Sequence, residues 1–145
     1  MSFVSLRTKI KAILDARKTA TILGEVFDGE QDQQNMEISA YPVAELRRTQ
    51  SEGDYFTNKE DIVSYDFDII IYAEMTDQGA SAAEKQLDAV LDDLLYQFAY
   101  DSTLTGTADA GVDPGVTNGG IIEWRGKPHY VSILRLRCKK ILDLT

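Results

Sequence analysis

Leu6, Ile10, Ile13 and Leu14 recur at i, i+4, i+7 and i+8, the spacing of one face of an α-helix. With Ser2 as N-cap they predict an amphipathic helix over Phe3 to Arg17 whose opposite face is basic. Past Thr19 the β-branched pairs Thr21-Ile22 and Val26-Phe27 read as a strand closed by Asp28-Gly29. After the polar stretch Gln31 to Asn35, an extended pattern returns at Met36 and runs through Ile38, Tyr41, Val43 and Leu46. Pro42 places that strand at an edge or at a bulge. Ser51-Glu52-Gly53-Asp54 is read as the turn that reverses the chain.

The clearest element follows. Val63, Tyr65, Phe67, Ile69, Ile71, Ala73 and Met75 alternate with Ser64, Asp66, Asp68, Ile70, Tyr72 and Glu74, so one face is core. The alternation outlasts the usual strand of about 3 to 10 residues, which predicts a long hairpin protruding from the domain. Ser81-Ala82-Ala83-Glu84 has capping-box spacing, and Leu87, Val90, Leu91, Leu94, Leu95 and Phe98 then line one side of a helix. Asp101 to Gly120, rich in glycine and carrying Pro114, reads as a long loop. Ile121 to Trp124, a turn at Arg125 to Pro128 and a strand from Tyr130 to Leu142 make a second hairpin. The expected fold is α+β: an antiparallel or mixed sheet of four to five strands, with two main helices on one face, in a single domain over residues 1–145.

A chain of 145 residues with 43% hydrophobic and 27% charged residues suits one core without staples. One cysteine, Cys138, closes no internal bridge, and with the single His129 it makes no zinc site. No apolar run approaches the ~20 residues of a membrane span, and Met1 to Leu6 lacks the regions of a signal peptide; no membrane association is expected, and the site of synthesis is taken as the cytoplasm. The net charge of −9 is concentrated in the middle, from Asp54 to Asp101, between basic ends. A grip on duplex DNA normally needs the reverse balance. Separated poles suit head-to-tail contact between copies, or are simply solvated faces that keep the protein soluble.

Asp66 and Asp68 share a strand face, as the ligands of metal-dependent nucleases do, but they alternate with core positions and no Glu-x-Lys triplet follows on a second strand. Gly106 to Gly111 has the outer spacing of a phosphate loop, yet Val112-Asp113 stand where Lys-Ser/Thr would be needed. His129 has no serine or cysteine at informative spacing and reads as a surface or hairpin-end histidine, and Cys138 shares a face with Leu134 and Leu136, as a buried structural thiol does. No catalytic residue, metal or cofactor is expected. Arg135, Arg137 and Lys139 form a basic stripe that could meet DNA or an acidic neighbour, or simply guard an edge strand. Ile70 and Tyr72 are large and apolar on the solvent-side face, so something must cover them: a partner subunit, or a loop or helix of the same chain. They join Pro42 and Gly53 as the candidate subunit interface. Thr103, Leu104, Gly106, Gly111, Pro114 and Gly119 form a candidate mobile assembly loop.

The N-terminal helix, the strand Tyr65-Asp66-Phe67-Asp68-Ile69-Ile70-Ile71-Tyr72, the helix Leu87 to Phe98, the step Asp101-Ser102-Thr103-Leu104-Thr105-Gly106 and the hydrophobic-basic last strand together resemble the tail terminator, or tail completion, proteins of long-tailed phages, the group that includes the lambda minor tail protein U. The resemblance implies a non-enzymatic virion protein at the head-proximal end of the tail: a ring, commonly hexameric, that caps the tail tube, stops its growth and joins the head or neck connector. DNA would pass through without sequence-specific contact, which an acidic channel wall favours. A head-side neck or completion protein is the alternative within the same biology. A small ligand-binding or hydrolytic domain is the alternative outside it.

Overall fold

The computed structural model describes residues 3–29, 38, 40–48, 53–57, 60–75, 79–100 and 112–143. Helix α1 (Phe3–Thr19) buries Leu6, Ile10 and Leu14, the stripe its periodicity sets. Strand β1 (Glu25–Asp28) follows, then β2 (Val43–Arg48), β3 (Gly53–Thr57) and β4 (Glu60–Glu74). Helix α2 (Gly79–Tyr100) leads to β5 (Val112–Trp124) and β6 (Lys127–Asp143). The fold is α+β. Five strands run in the order β1-β2-β4-β6-β5, and β3 lies beside the start of β4. The sheet is mixed, because β1 pairs with β2 in parallel while every other pairing is antiparallel.

Strand β4 is the spine. Strand β6 accompanies it from Glu60↔Asp143 to Glu74↔His129, while β3 and then β2 cover its other side. Its unusual length is thus paired on both sides. Phe67, Ile69, Ile71 and Ala73 enter the main core together with Leu134, Leu136 and Cys138 of β6 and the apolar stripes of both helices. From α2 come Leu87, Val90, Leu91, Leu94 and Phe98. At ~1.5–3 kcal/mol per large side chain, that stripe stabilises by on the order of 10 kcal/mol as an upper bound.

Several expectations are corrected. Pro42 precedes the first residue of β2 and is buried; β2 lies between β1 and β4 rather than at an edge. A proline just before the strand removes no ladder donor. Gly53 is no turn residue: it opens β3, opposite Val63, and the reversal falls between Thr57 and Glu60. Helix α2 begins at Gly79, so Ser81 lies inside it rather than capping it. Pro114 and Gly119 belong to β5, paired with β6, not to a loop; Thr103, Leu104, Gly106 and Gly111 fall outside the described residues. Pro114 and Gly119 are tolerated because β5 is an edge strand. The register shifts between Asn118 and Gly120, where the Asn118 side chain accepts the Gly120 N–H at 2.9 Å and donates to the Tyr130 hydroxyl at 3.1 Å. Gly120 has φ +70° there, which suits glycine at a bulge. The β5–β6 hairpin turns on Arg125 and Gly126, with φ values of 54° and 77°, the left-handed pair of a two-residue turn.

Gly24 joins α1's exit to β2. Its N–H donates to the Pro42 carbonyl at 2.7 Å, and a Cβ there would overlap the Ala40 carbonyl and approach the Tyr41 nitrogen to 2.7 Å. Since backbone cannot yield as a flexible side chain does, Gly24→Ala is expected to destabilise the fold by about 2 kcal/mol in urea denaturation. An unchanged midpoint would mean that this junction relaxes freely.

Candidate assembly surfaces

The sheet face away from the main core divides into an ionic half and an aromatic half. In the ionic half, register sets Asp66 opposite Arg137 and Asp68 opposite Arg135. Arg135 grips Asp68 with two bonds, Nε to Oδ1 at 2.9 Å and Nη2 to Oδ2 at 3.3 Å. Arg137 stands 3.7 Å from Asp66, and Lys139 reaches Asp113 of β5 at 3.3 Å. The basic stripe and the candidate metal carboxylates are therefore one ladder: three cations meet three acids. Among the described residues, no three histidine, cysteine, aspartate or glutamate side chains converge as a metal site would need.

The aromatic half holds Ile70 and Tyr72. Phe27, Val43, Tyr72 and Val131 form a second buried cluster, flanked by Ile38, Tyr41, Ile70 and Trp124. The Trp124 ring stacks on Tyr72 at 3.9 Å and 11°, leaving Tyr72 only 3% exposed. Cover for this pair comes from the chain itself, through Trp124 of β5 and the residues that precede β2. The placement of Tyr72 on a subunit interface is corrected accordingly, and Ile70 is half-buried beside it. The Tyr72 hydroxyl donates to Glu45 Oε2 at 3.4 Å, and Arg47 bonds the other oxygen of this fully buried carboxylate.

His129 stands near the hairpin end but is buried here rather than at the surface. Its Nδ1 lies 2.9 Å from the Lys127 carbonyl and its Nε2 lies 2.9 Å from the Tyr41 hydroxyl. A carbonyl only accepts, so Nδ1 carries the proton and Nε2 accepts from Tyr41. Burial, then the Glu74 charge, pushes the Tyr41 phenol above its ordinary 10.0, while Arg125 pulls the other way. This arrangement locks a strand end rather than presenting a nucleophile. Glu45 and the Tyr41–His129 pair escaped the sequence reading, because neither stands in a local pattern; only the sheet register brings them in.

Cys138 lies in the main core. Burial first, and the neighbouring Asp66 charge second, push its thiol from 9.0 up to about 12. A raised folded-state value gives stability that is complete below pH ~9, where the unfolded thiol is also protonated, and that is lost as pH rises toward 12. Iodoacetamide at pH 8.5 is thus expected to modify Cys138 only as fast as the chain unfolds, and urea should release the reaction. Rapid labelling of the native protein would contradict the burial.

An open groove of about 890 Å³ runs along α1, between Phe3 and Asp15 on the helix, Asp28 and Gly29 at the end of β1, and Arg47 and Arg48 at the end of β2. Arg7 pairs with Asp28, Lys11 holds Asp15 at 2.8 Å, and the Arg48 guanidinium lies 4.8 Å from the Phe3 ring centre. Four cations stand against two acids in the lining, and Glu45, which holds Arg47, is a third, so the lining is positive by one charge. Val4 on its wall is 77% exposed. On α2, by contrast, Glu84, Asp88, Asp92 and Tyr96 follow at i, i+4, i+8 and i+12, all exposed. That spacing is local and lies in the sequence itself, on the face opposite the buried stripe. No protein-family model matches the chain, and no curated protein does.

Proposed function

We propose that the chain is a structural virion protein, a ring-forming tail terminator that caps a phage tail tube, stops its polymerisation and offers the joining surface to the neck. The observation that carries this reading is the charge ladder. The paired carboxylates that could have held a catalytic metal are held by arginines of the adjacent strand, which suits a wall better than a reaction centre. The order of elements, with α1 first, β4 central, α2 next and the basic strand β6 last, follows the order on which the resemblance to tail terminators rests. Among the described residues the outer strands β1 and β5 are unlike, four residues against thirteen. Copies that meet through unlike surfaces make heterologous contacts, which close into rings when the rotation between copies closes and extend as filaments when it does not.

Electron microscopy of the purified protein, alone and mixed with tail tubes, tests the proposal. Closed rings seated on tube ends are expected, with tubes no longer growing. A small species that leaves tubes untouched would refute it. So would magnesium- or manganese-dependent cutting of DNA that Asp66→Ala abolishes, since the ladder reading predicts none.

A further inference from the structure

We infer that the groove beside α1 is the seat for the acidic outer stripe of α2 from a second copy of this chain. The inference rests on the ring reading and names the surfaces that would build the ring. Three features of the two surfaces match. The first is charge: the groove lining carries Arg7, Lys11, Arg47 and Arg48 against Asp15 and Asp28, with Glu45 on Arg47, while the stripe carries Glu84, Asp88 and Asp92. Unlike potentials steer association and fix register. The second is length. The α1 wall from Phe3 to Asp15 and the stripe from Glu84 to Tyr96 each span twelve helical steps, ~18 Å at 1.5 Å per residue.

The third is the distribution of exposed apolar groups. Val4, at 77%, and Tyr96, at 64%, are the two most exposed large hydrophobic side chains among the described residues. One lies in the groove and the other ends the stripe, so each surface brings an apolar anchor beside its charges. A tyrosine is well suited to such a contact, because it supplies a large area at little entropic cost. Arg–Asp pairing across the two helix types already occurs within one chain, where Arg17 of α1 lies 3.4 Å from Asp93 of α2. Duplex DNA is the other polyanion that a cationic groove could take. The whole-chain charge of −9 opposes it, and an apolar Val4 wall gives phosphate nothing to bond.

The contact is heterologous, and this makes a complementation test possible. Asp88→Lys with Asp92→Lys reverses the stripe; Lys11→Glu with Arg48→Glu reverses the groove. Each double variant alone is expected to self-associate at least ~100-fold more weakly, with unchanged circular dichroism. Mixed in equal amounts, the two should reassemble with alternating copies, because each intact surface then finds its match and the two reversed surfaces also match each other. Native mass spectrometry reads the result, and rising salt should weaken the wild-type assembly. As a check independent of charge, Val4→Cys and Tyr96→Cys introduced in separate chains should cross-link between copies, while buried Cys138 stays out of the reaction. Wild-type rings whose mass both variants preserve would overturn the inference and leave the ring reading standing. A wild-type chain that stays monomeric at every concentration and on tubes would overturn both. Duplex binding by the wild type that the groove variant loses, with assembly intact, would assign the groove to DNA instead.

Discussion

Phe67→Ala is expected to cost about 3–5 kcal/mol of folding stability, a large part of the ~5–15 kcal/mol that a domain possesses. Phe67 is fully buried in the middle of β4, the strand with partners on both sides. Its ring meets the Phe3 ring edge-on at 5.9 Å, and the Arg7 guanidinium lies 5.7 Å from its centre. Truncation therefore removes a large buried surface and also undercuts the first turns of α1. The cavity cannot collapse easily, since Leu136 opposite and Arg48 beside Phe67 are fixed by the ladder. Urea denaturation followed by circular dichroism checks this, with Phe67→Leu as the variant that should retain more than half of the lost stability. A loss under ~1 kcal/mol would show that α1 and β4 pack less tightly than the geometry indicates.

What the sequence disclosed follows from how local each signal is. Helix α1, the buried stripe of α2 and the core face of β4 were legible because periodicity and burial agree at most positions, with Ile13, Tyr65, Met75 and Leu95 half-buried at the margins. Strand β5 was not. Pro114, Gly115, Gly119 and Gly120 carry the composition of a loop, and only an edge position next to β6 lets them extend. Strand β3 was hidden in the same way, with Gly53 at its start. The parallel β1–β2 pairing left no trace, since nothing in four residues tells which neighbour they join or in which direction. At the candidate surfaces, the basic stripe was placed on the right face, but its neutralisation by Asp66, Asp68 and Asp113 depends on cross-strand register, which a sequence does not print. The groove required three separated segments to meet.

Tyr72 illustrates the same limit with the largest consequence. Alternation puts it on the face opposite the main core, where an interface would sit; the structure covers it from within the chain. Tyr72→Asp is therefore expected to unfold the protein rather than to release intact subunits. The substitution removes a ring stacked on Trp124 at 3.9 Å, a loss comparable to the ~3–5 kcal/mol of other aromatic truncations. It also sets a second carboxylate near the buried Glu45, among Phe27, Val43 and Val131, where an unpaired charge must be either desolvated or protonated. Tyr72→Phe, which keeps the ring and gives up the 3.4 Å bond to Glu45, should cost about 1 kcal/mol. Trp124 is the only tryptophan, so its fluorescence reports directly on this stack: Tyr72→Asp should shift it to the solvent-exposed spectrum together with loss of circular dichroism, and Tyr72→Phe should leave both in place. A Tyr72→Asp protein with native secondary structure, native Trp124 emission and a reduced assembly mass would return Tyr72 to the subunit interface.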